Sequence, residues 1–289
     1  MLKNLLIISL FVPAAFSKSE VSLIELIKKD ATVKNVKFAI DKGVDVNEKN
    51  KDGQTALMTA LNPIQYDFTN QDDPFKYNNH SIKILKLLLE AGAKVNARNN
   101  RGQTALMIAA IEKNLKAMSL LVKAGSDVNL KDDNGDTVLI NLLIVDETSN
   151  NQNKVYKKSY QYKLLKILKL LIESKVDING RNQAGQTALM YTVGFDSLDL
   201  VKLLLESGAE VNARDNEGQT ALMSFATFKN SKVVDLLIKA GAEVNARNQA
   251  GQTALSCVYL YKESFLSLGL TEKDITNTAQ ILIKAGAIK

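Results

Sequence analysis

Asn182-Gln183-Ala184-Gly185-Gln186-Thr187-Ala188-Leu189-Met190 contains a phrase, Gly-Gln-Thr-Ala-Leu, that returns in full at Gly53, Gly102, Gly218 and Gly251, and as Gly-Asp-Thr-Val-Leu at Gly135. The steps from Gly102 to Gly135, Gly185 to Gly218 and Gly218 to Gly251 are equal, a period of about 33 residues. The steps from Gly53 to Gly102 and from Gly135 to Gly185 are that period lengthened by half. A fixed period of this kind describes stacked units that cannot bury their apolar faces alone, each resting mainly on its neighbours. Such a chain presents a long surface and does not enclose a catalytic pocket.

The chemistry of one unit is legible residue by residue. Gly185 suits the positive φ of a tight turn. Thr187 is placed to cap the following helix with its hydroxyl. Ala188, Leu189 and Met190 open a short first helix. Leu200, Val201, Leu203, Leu204 and Leu205 give a second helix its buried stripe. Gly208 suits the left-handed residue that ends it, and Glu210-Val211-Asn212 leads on, extended, to the next turn.

In this order the residues resemble the ankyrin repeat, whose pattern runs Gly-x-Thr-Pro-Leu-His, a Leu-Leu helix, then Gly-Ala-x-Val-Asn. The resemblance covers about Val21 to the end, in six agreeing registers. It implies an all-α solenoid of helix-turn-helix units with β-turn fingers, about seven units in all, used to hold another protein. Ala replaces the family's helix-initiating Pro, and Met58, Met107, Met190 and Met223 stand where it has His. Apolar packing is therefore expected in place of the His-centred hydrogen bonds.

Residues 1–17 read as a separate object. Lys3 precedes a twelve-residue, predominantly apolar run, Leu5 to Phe16, and Ala15 and Ser17 are small residues at the −3 and −1 positions of a cleavage site. That is the layout of a secretory signal peptide. The run is shorter than the roughly 20 apolar residues of a membrane span. Residues 18–289 are expected to form the solenoid of an exported protein, periplasmic or extracellular, acting as a monomer. Residues 21–49 make its capping repeat, with Lys28, Lys29, Lys34 and Lys37 keeping that end wet. The balance of 37 Lys and Arg against 31 Asp and Glu, a net +6, is too dispersed to imply nucleic acid by itself.

Recognition is expected where the units differ. The interval from the motif Thr to the residue ending the second helix is the same for Thr104 to Gly125, Thr187 to Gly208 and Thr220 to Gly241. It is longer by more than half for Thr55 to Gly92, Thr137 to Lys175 and Thr253 to Gly286. Three insertions, near 62–80, 145–162 and 259–274, therefore lie between the helices of a unit and share one edge. They hold Tyr66, Phe68, Phe75, Tyr77, Tyr156, Tyr160, Tyr162, Tyr259 and Tyr261, and aromatic side chains are enriched at interfaces. Phe195, Phe228 and Tyr261 also share one register after a motif Thr, a ladder near that edge. All these are candidate partner contacts; the alternative is that they cover the edge as small local cores. A second candidate surface, for nucleic acid or other anions, is the row of finger cations Arg98, Arg101, Arg181, Arg214 and Arg247; the alternative, which the family's frequent basic residue at this place favours, is that they are framework.

Catalysis finds no support. Cys257 and His80 are the only residues of their kinds, which removes disulfides, most metal sites and the familiar triads. Asp132-Asp133-Asn134-Gly135 fails the calcium-loop register, whose twelfth ligand would be Asn141. No metal or cofactor is expected, and the chain reads as a non-enzyme. The unit at Asp132 is the least regular, with Asp136 for Gln, Val138 for Ala and Lys175 for the capping Gly.

Overall fold

A computed structural model describes residues 22–29, 32–61, 79–144, 154–195, 197–227, 231–262 and 271–288, with the backbone alone at 79, 154–160 and 194. The described chain is helical, with no β-strand, and divides into two units, one reaching Ser126 and the other starting at Asp127. In the first, α1 (Leu23–Lys28), α3 (Ala56–Thr59) and α5 (Ala105–Ile111) pack in one row, and α2 (Val33–Asp41), α4 (Asn79–Glu90) and α6 (Leu115–Lys123) are the second helices of the same repeats. In the second, α7 (Val138–Leu143), α9 (Ala188–Tyr191), α11 (Ala221–Ala226) and α13 (Ala254–Leu260) pack in sequence. So do α8 (Lys154–Glu173), α10 (Leu198–Glu206), α12 (Ser231–Lys239) and α14 (Glu272–Lys284).

The first helices are four to seven residues long beyond α1, far below what an isolated helix needs in water. Two things stabilise them. Ala-Leu-Met or its equivalent is buried in each, except for the exposed Ser256 of α13. The motif Thr accepts a hydrogen bond from the third helical N–H at 3.2–3.4 Å at Thr55, Thr104, Thr137, Thr220 and Thr253. Thr187 departs from the expectation. Its buried hydroxyl makes no cap bond, because the Met190 N–H turns instead to the Thr187 carbonyl at 3.1 Å. α9 is a single turn running into a 3-10 turn over Thr192–Phe195, and the tighter i→i+3 bonding begins at its first residues.

Second helices share one buried register: Ile84, Leu85 and Leu88; Ala117, Met118 and Leu121; Ile167, Leu168 and Leu171; Leu200, Val201 and Leu204; Val233, Val234 and Leu237. Each ends on a residue with positive φ. It is Gly in every such helix but α8, where Lys175 adopts φ 63°. The Met residues expected to replace His are buried, and the Met107 sulfur also accepts the Thr104 N–H at 3.4 Å.

The second insertion differs from expectation. It reads as a loop over 145–162, but α8 begins at Lys154, so its latter part extends the second helix by several turns.

Candidate functional site

Between successive repeats the fingers are joined by three kinds of bond. Asn47, Asn129, Asn179, Asn212 and Asn245, each closing a Val-Asn or Ile-Asn pair, donate to the carbonyl of the next C-capping residue and accept the N–H two residues beyond it. At Asn212 the distances are 3.0 Å to the Gly241 carbonyl and 2.8 Å from the Glu243 N–H. The others repeat the pattern at Gly92, Lys175, Gly208 and Gly286. Backbone N–H groups of Asn100, Gln183, Asn216 and Gln249 donate to the carbonyl just before the motif Gly of the preceding finger. That approach is why Gly185 must be glycine for a second reason. Besides its φ of 76°, a Cβ there would lie 2.5 Å from Asn216 Oδ1.

The third kind uses the cations. Lys49 Nζ donates to the Arg98 carbonyl at 2.7 Å and Lys131 Nζ to the Arg181 carbonyl at 2.8 Å. The Arg181 and Arg214 guanidinium groups donate to the carbonyls of Arg214 and Arg247. Arg247 turns back to the Gly251 carbonyl at 2.7 Å. Arg98 and Arg101 are exposed on the second finger. Among these cations, then, several are held to main-chain oxygens of the framework. The Asn staples are not among the residues that sequence reasoning picks out, although their signal is plain: an Asn four residues after the capping Gly, in register.

One joint is acidic. Asp132 and Asp136 are both buried on the finger before α7. Asn182, on the next finger, donates to Asp136 at 2.9 Å and to the Tyr191 hydroxyl at 3.2 Å, and Tyr191 donates to Gln186 at 2.9 Å. Asn141 on α7 donates to Asp132 at 3.5 Å. Burial pushes the Asp136 carboxyl above its ordinary range, the Asn182 bond opposes the rise, and the Asp132 charge adds to it. The Tyr191 phenol is also raised, by burial first and then by the Asp136 charge. Cys257 is buried, and burial raises its thiol. No group of three His, Cys, Asp or Glu suited to a metal occurs among the described residues.

The aromatic candidates separate by place. Tyr66, Phe68, Phe75, Tyr77 and Phe228 lie outside the described residues, and Tyr156 and Tyr160 are on α8 with only their backbone described. Phe195 is 6% exposed, so its ring faces the interior, and its carbonyl accepts Gln161 Nε2 at 3.1 Å. Tyr162, Tyr259 and Tyr261 are 59%, 48% and 42% exposed. Tyr162 lies under the Lys166 ammonium, 4.5 Å from ring centre to nitrogen, a cation–π distance. Tyr259 and the exposed Leu260 line an open cavity of about 790 Å³ with Leu255, Ser256 and the finger residues Ala250, Gly251 and Gln252. Leu260 carries no aromatic or charge signal by which its sequence could single it out.

Paired helices packed in register, joined by β-turn fingers with Asn staples between them, define a repeat protein. The chain belongs to the ankyrin-repeat family: the family model for ankyrin repeats (3 copies) matches residues 76–151 and 157–257, well over half of it. Ankyrin repeats generally mediate protein–protein interaction. Among solved structures, the chain is similar to the ankyrin repeat domain of Bcl-3, a member of the IkappaB protein family, at 21% identity and a TM-score of 0.63, covering 92% of this chain and 100% of that one. It is also similar to the human ASB11 ankyrin repeat domain, at 21% identity and a TM-score of 0.64, covering 93% and 100%. At that identity the likeness concerns the fold. No curated protein matches the sequence. No described helix is long and apolar enough to cross a membrane.

Proposed function

We propose that this protein is an exported, non-catalytic scaffold, periplasmic or extracellular, that holds another protein against the edge where its insertions lie. The observation that carries the reading is the exposure of Tyr162, Tyr259 and Tyr261 in the second unit, while the large aromatic Phe225 is fully buried. Tyr offers broad amphipathic contact area with few rotors to order, which suits a recognition surface. Export rests on the Lys3, Leu5–Phe16 and Ala15-Phe16-Ser17 layout. The monomeric state is part of the same proposal.

The test is capture from a cell-envelope extract by the chain and by its Tyr162→Ala/Tyr259→Ala/Tyr261→Ala variant, with circular dichroism confirming that both are helical. A partner held by the parent and lost by the variant supports the reading. Equal retention by both would move recognition away from this edge. Fractionation of cells making the full chain tests export, and accumulation of uncleaved chain in the cytoplasm would overturn it.

A further inference from the structure

Helix α8 differs from its counterparts in length and in charge. α6, α10 and α12 have nine residues each and α8 has 20. The shared C-terminal register puts the eleven additional residues at its N-terminal end, a rod of about 16 Å at 1.5 Å per residue. Its body is anchored: Leu164, Ile167, Leu168 and Leu171 are fully buried, so its apolar face is occupied by the repeat itself.

The opposite face carries Tyr162, Lys166 and Lys169, all exposed. Lys166 caps the Tyr162 ring, and neither lysine makes an ion pair among the described residues. The helix holds six lysines before its first carboxylate, Glu173, and Lys154 and Lys157 open it. Cations there oppose the positive end of the helix dipole. The other second helices of this unit carry carboxylates among their lysines. α10 starts with Asp199 and pairs Lys202 with Glu206 at 3.8 Å; α12 pairs Lys239 with Asp235 at 2.6 Å; α14 starts with Glu272 and Asp274.

We propose that the outer face of α8, centred on Tyr162, Lys166 and Lys169, is the docking surface for an acidic, extended segment of the partner protein. This rests on the reading in which the partner is a protein. Tyr162 to Lys169 span about 10 Å along the helix, the length of roughly three residues of extended chain. Carboxylates along that length would neutralise the exposed lysines. An anionic membrane fits less well, since surface-lying helices present an apolar face outward and that of α8 is buried. A phosphate backbone fits less well too, because finger cations that could continue its track, such as Arg181 and Arg214, donate to carbonyls.

The test is fluorescence anisotropy at about 0.15 M salt, where exposed charges are screened beyond a few contacts, with a labelled dodecapeptide of alternating Glu and Ser. The chain is compared with Lys166→Glu/Lys169→Glu, with the milder Lys166→Gln/Lys169→Gln, and with Lys83→Glu/Lys86→Glu. Lys83 and Lys86 occupy the same register on α4, so that variant controls for charge alone. Binding is expected to weaken at least tenfold in the α8 charge reversal, several-fold in the neutral variant, and less than twofold in the α4 variant. No binding, or equal loss in both charge reversals, overturns the proposal. So does tighter binding of a single-stranded dodecanucleotide, or of vesicles of phosphatidylcholine and phosphatidylglycerol in a two-to-one ratio, lost in the same α8 variant. In the envelope capture, a partner kept by Lys166→Glu/Lys169→Glu but lost without the three tyrosines overturns this proposal and leaves the scaffold standing. No tyrosine-dependent partner at all overturns the scaffold reading.

Discussion

Lys175→Gly should stabilise the repeat that contains α7 and α8. Lys175 sits at φ 63°, where the corresponding residues Gly92, Gly125, Gly208, Gly241 and Gly286 have φ between 83° and 92°. At those glycines a Cβ would meet nothing within 4 Å. By register the Lys175 side chain faces no crowding either, and the cost is the residue's own left-handed conformation, about 1–2 kcal/mol. The backbone bonds at this position do not need the side chain: its N–H donates to Ile172 at 3.0 Å and its carbonyl accepts Asn129 at 3.3 Å. Two losses offset the gain. A cation leaves the helix C-terminus, about 0.3 kcal/mol, and glycine loosens the unfolded chain by about 0.5 kcal/mol. Taken at the middle of that range, the net is a stabilisation of about 0.7 kcal/mol. For a cooperative unit of this size that raises the melting temperature by about 1–4 °C. Hydrogen exchange is the sharper assay, because repeat proteins open locally. The parent should be least protected in α7 and α8, and protection there should rise about two- to fivefold in the variant. The reciprocal Gly208→Lys should lower protection in α10 by a similar or larger factor. Unchanged or reduced protection in Lys175→Gly would refute the conformational argument.

Three further outcomes follow from the fingers. Asn212→Ala removes two bonds to the next repeat and should cost about 1–2 kcal/mol in urea unfolding, at about 1 kcal/mol per bond. Gly185→Ala should cost about 2–4 kcal/mol in the same assay, a left-handed penalty added to overpacking. The overpacking arises because its Cβ would lie 2.5 Å from Asn216 Oδ1. Asp136→Asn should stabilise the chain at neutral pH. The folded-state carboxyl titrates above its ordinary value of 3.8, so the folded protein binds the proton more tightly than the unfolded one. Parental stability from this group is then present below about pH 4 and is lost as pH rises through the raised value. The gap between variant and parent in chemical denaturation should close as pH falls through that window, and a gap that widens on acidification would refute the assignment.

Position by position, the fold is open to reading because repetition multiplies weak local signals. One Gly-x-Thr is only a turn, but six in register identify turn, cap and helix start together. The left-handed residue at Lys175 can be named in advance because its equivalents are glycines. The missing cap at Thr187 cannot. Its motif residues match those of its neighbours, and the difference lies in a 3-10 turn that redirects one N–H. The aromatic candidates show the same division. Tyr162, Tyr259, Tyr261 and Phe195 look alike as letters near an insertion, yet Phe195 is interior and the tyrosines are not.

What the sequence determined by itself was periodicity: the repeating unit, the positions of the turns and of all but one of the caps, and the buried register of the second helices. These depend on residue type and spacing within a few turns of chain. Only the tertiary structure decided which long-range partner each polar group meets. It placed finger cations on carbonyls about one repeat away, made Asn212 and its equivalents staples, brought Asp136 to Asn182 and Tyr191, and turned the end of the second insertion into a charged helical rod. Hydrogen-bond geometry and burial are properties of two segments together, and no single segment carries them.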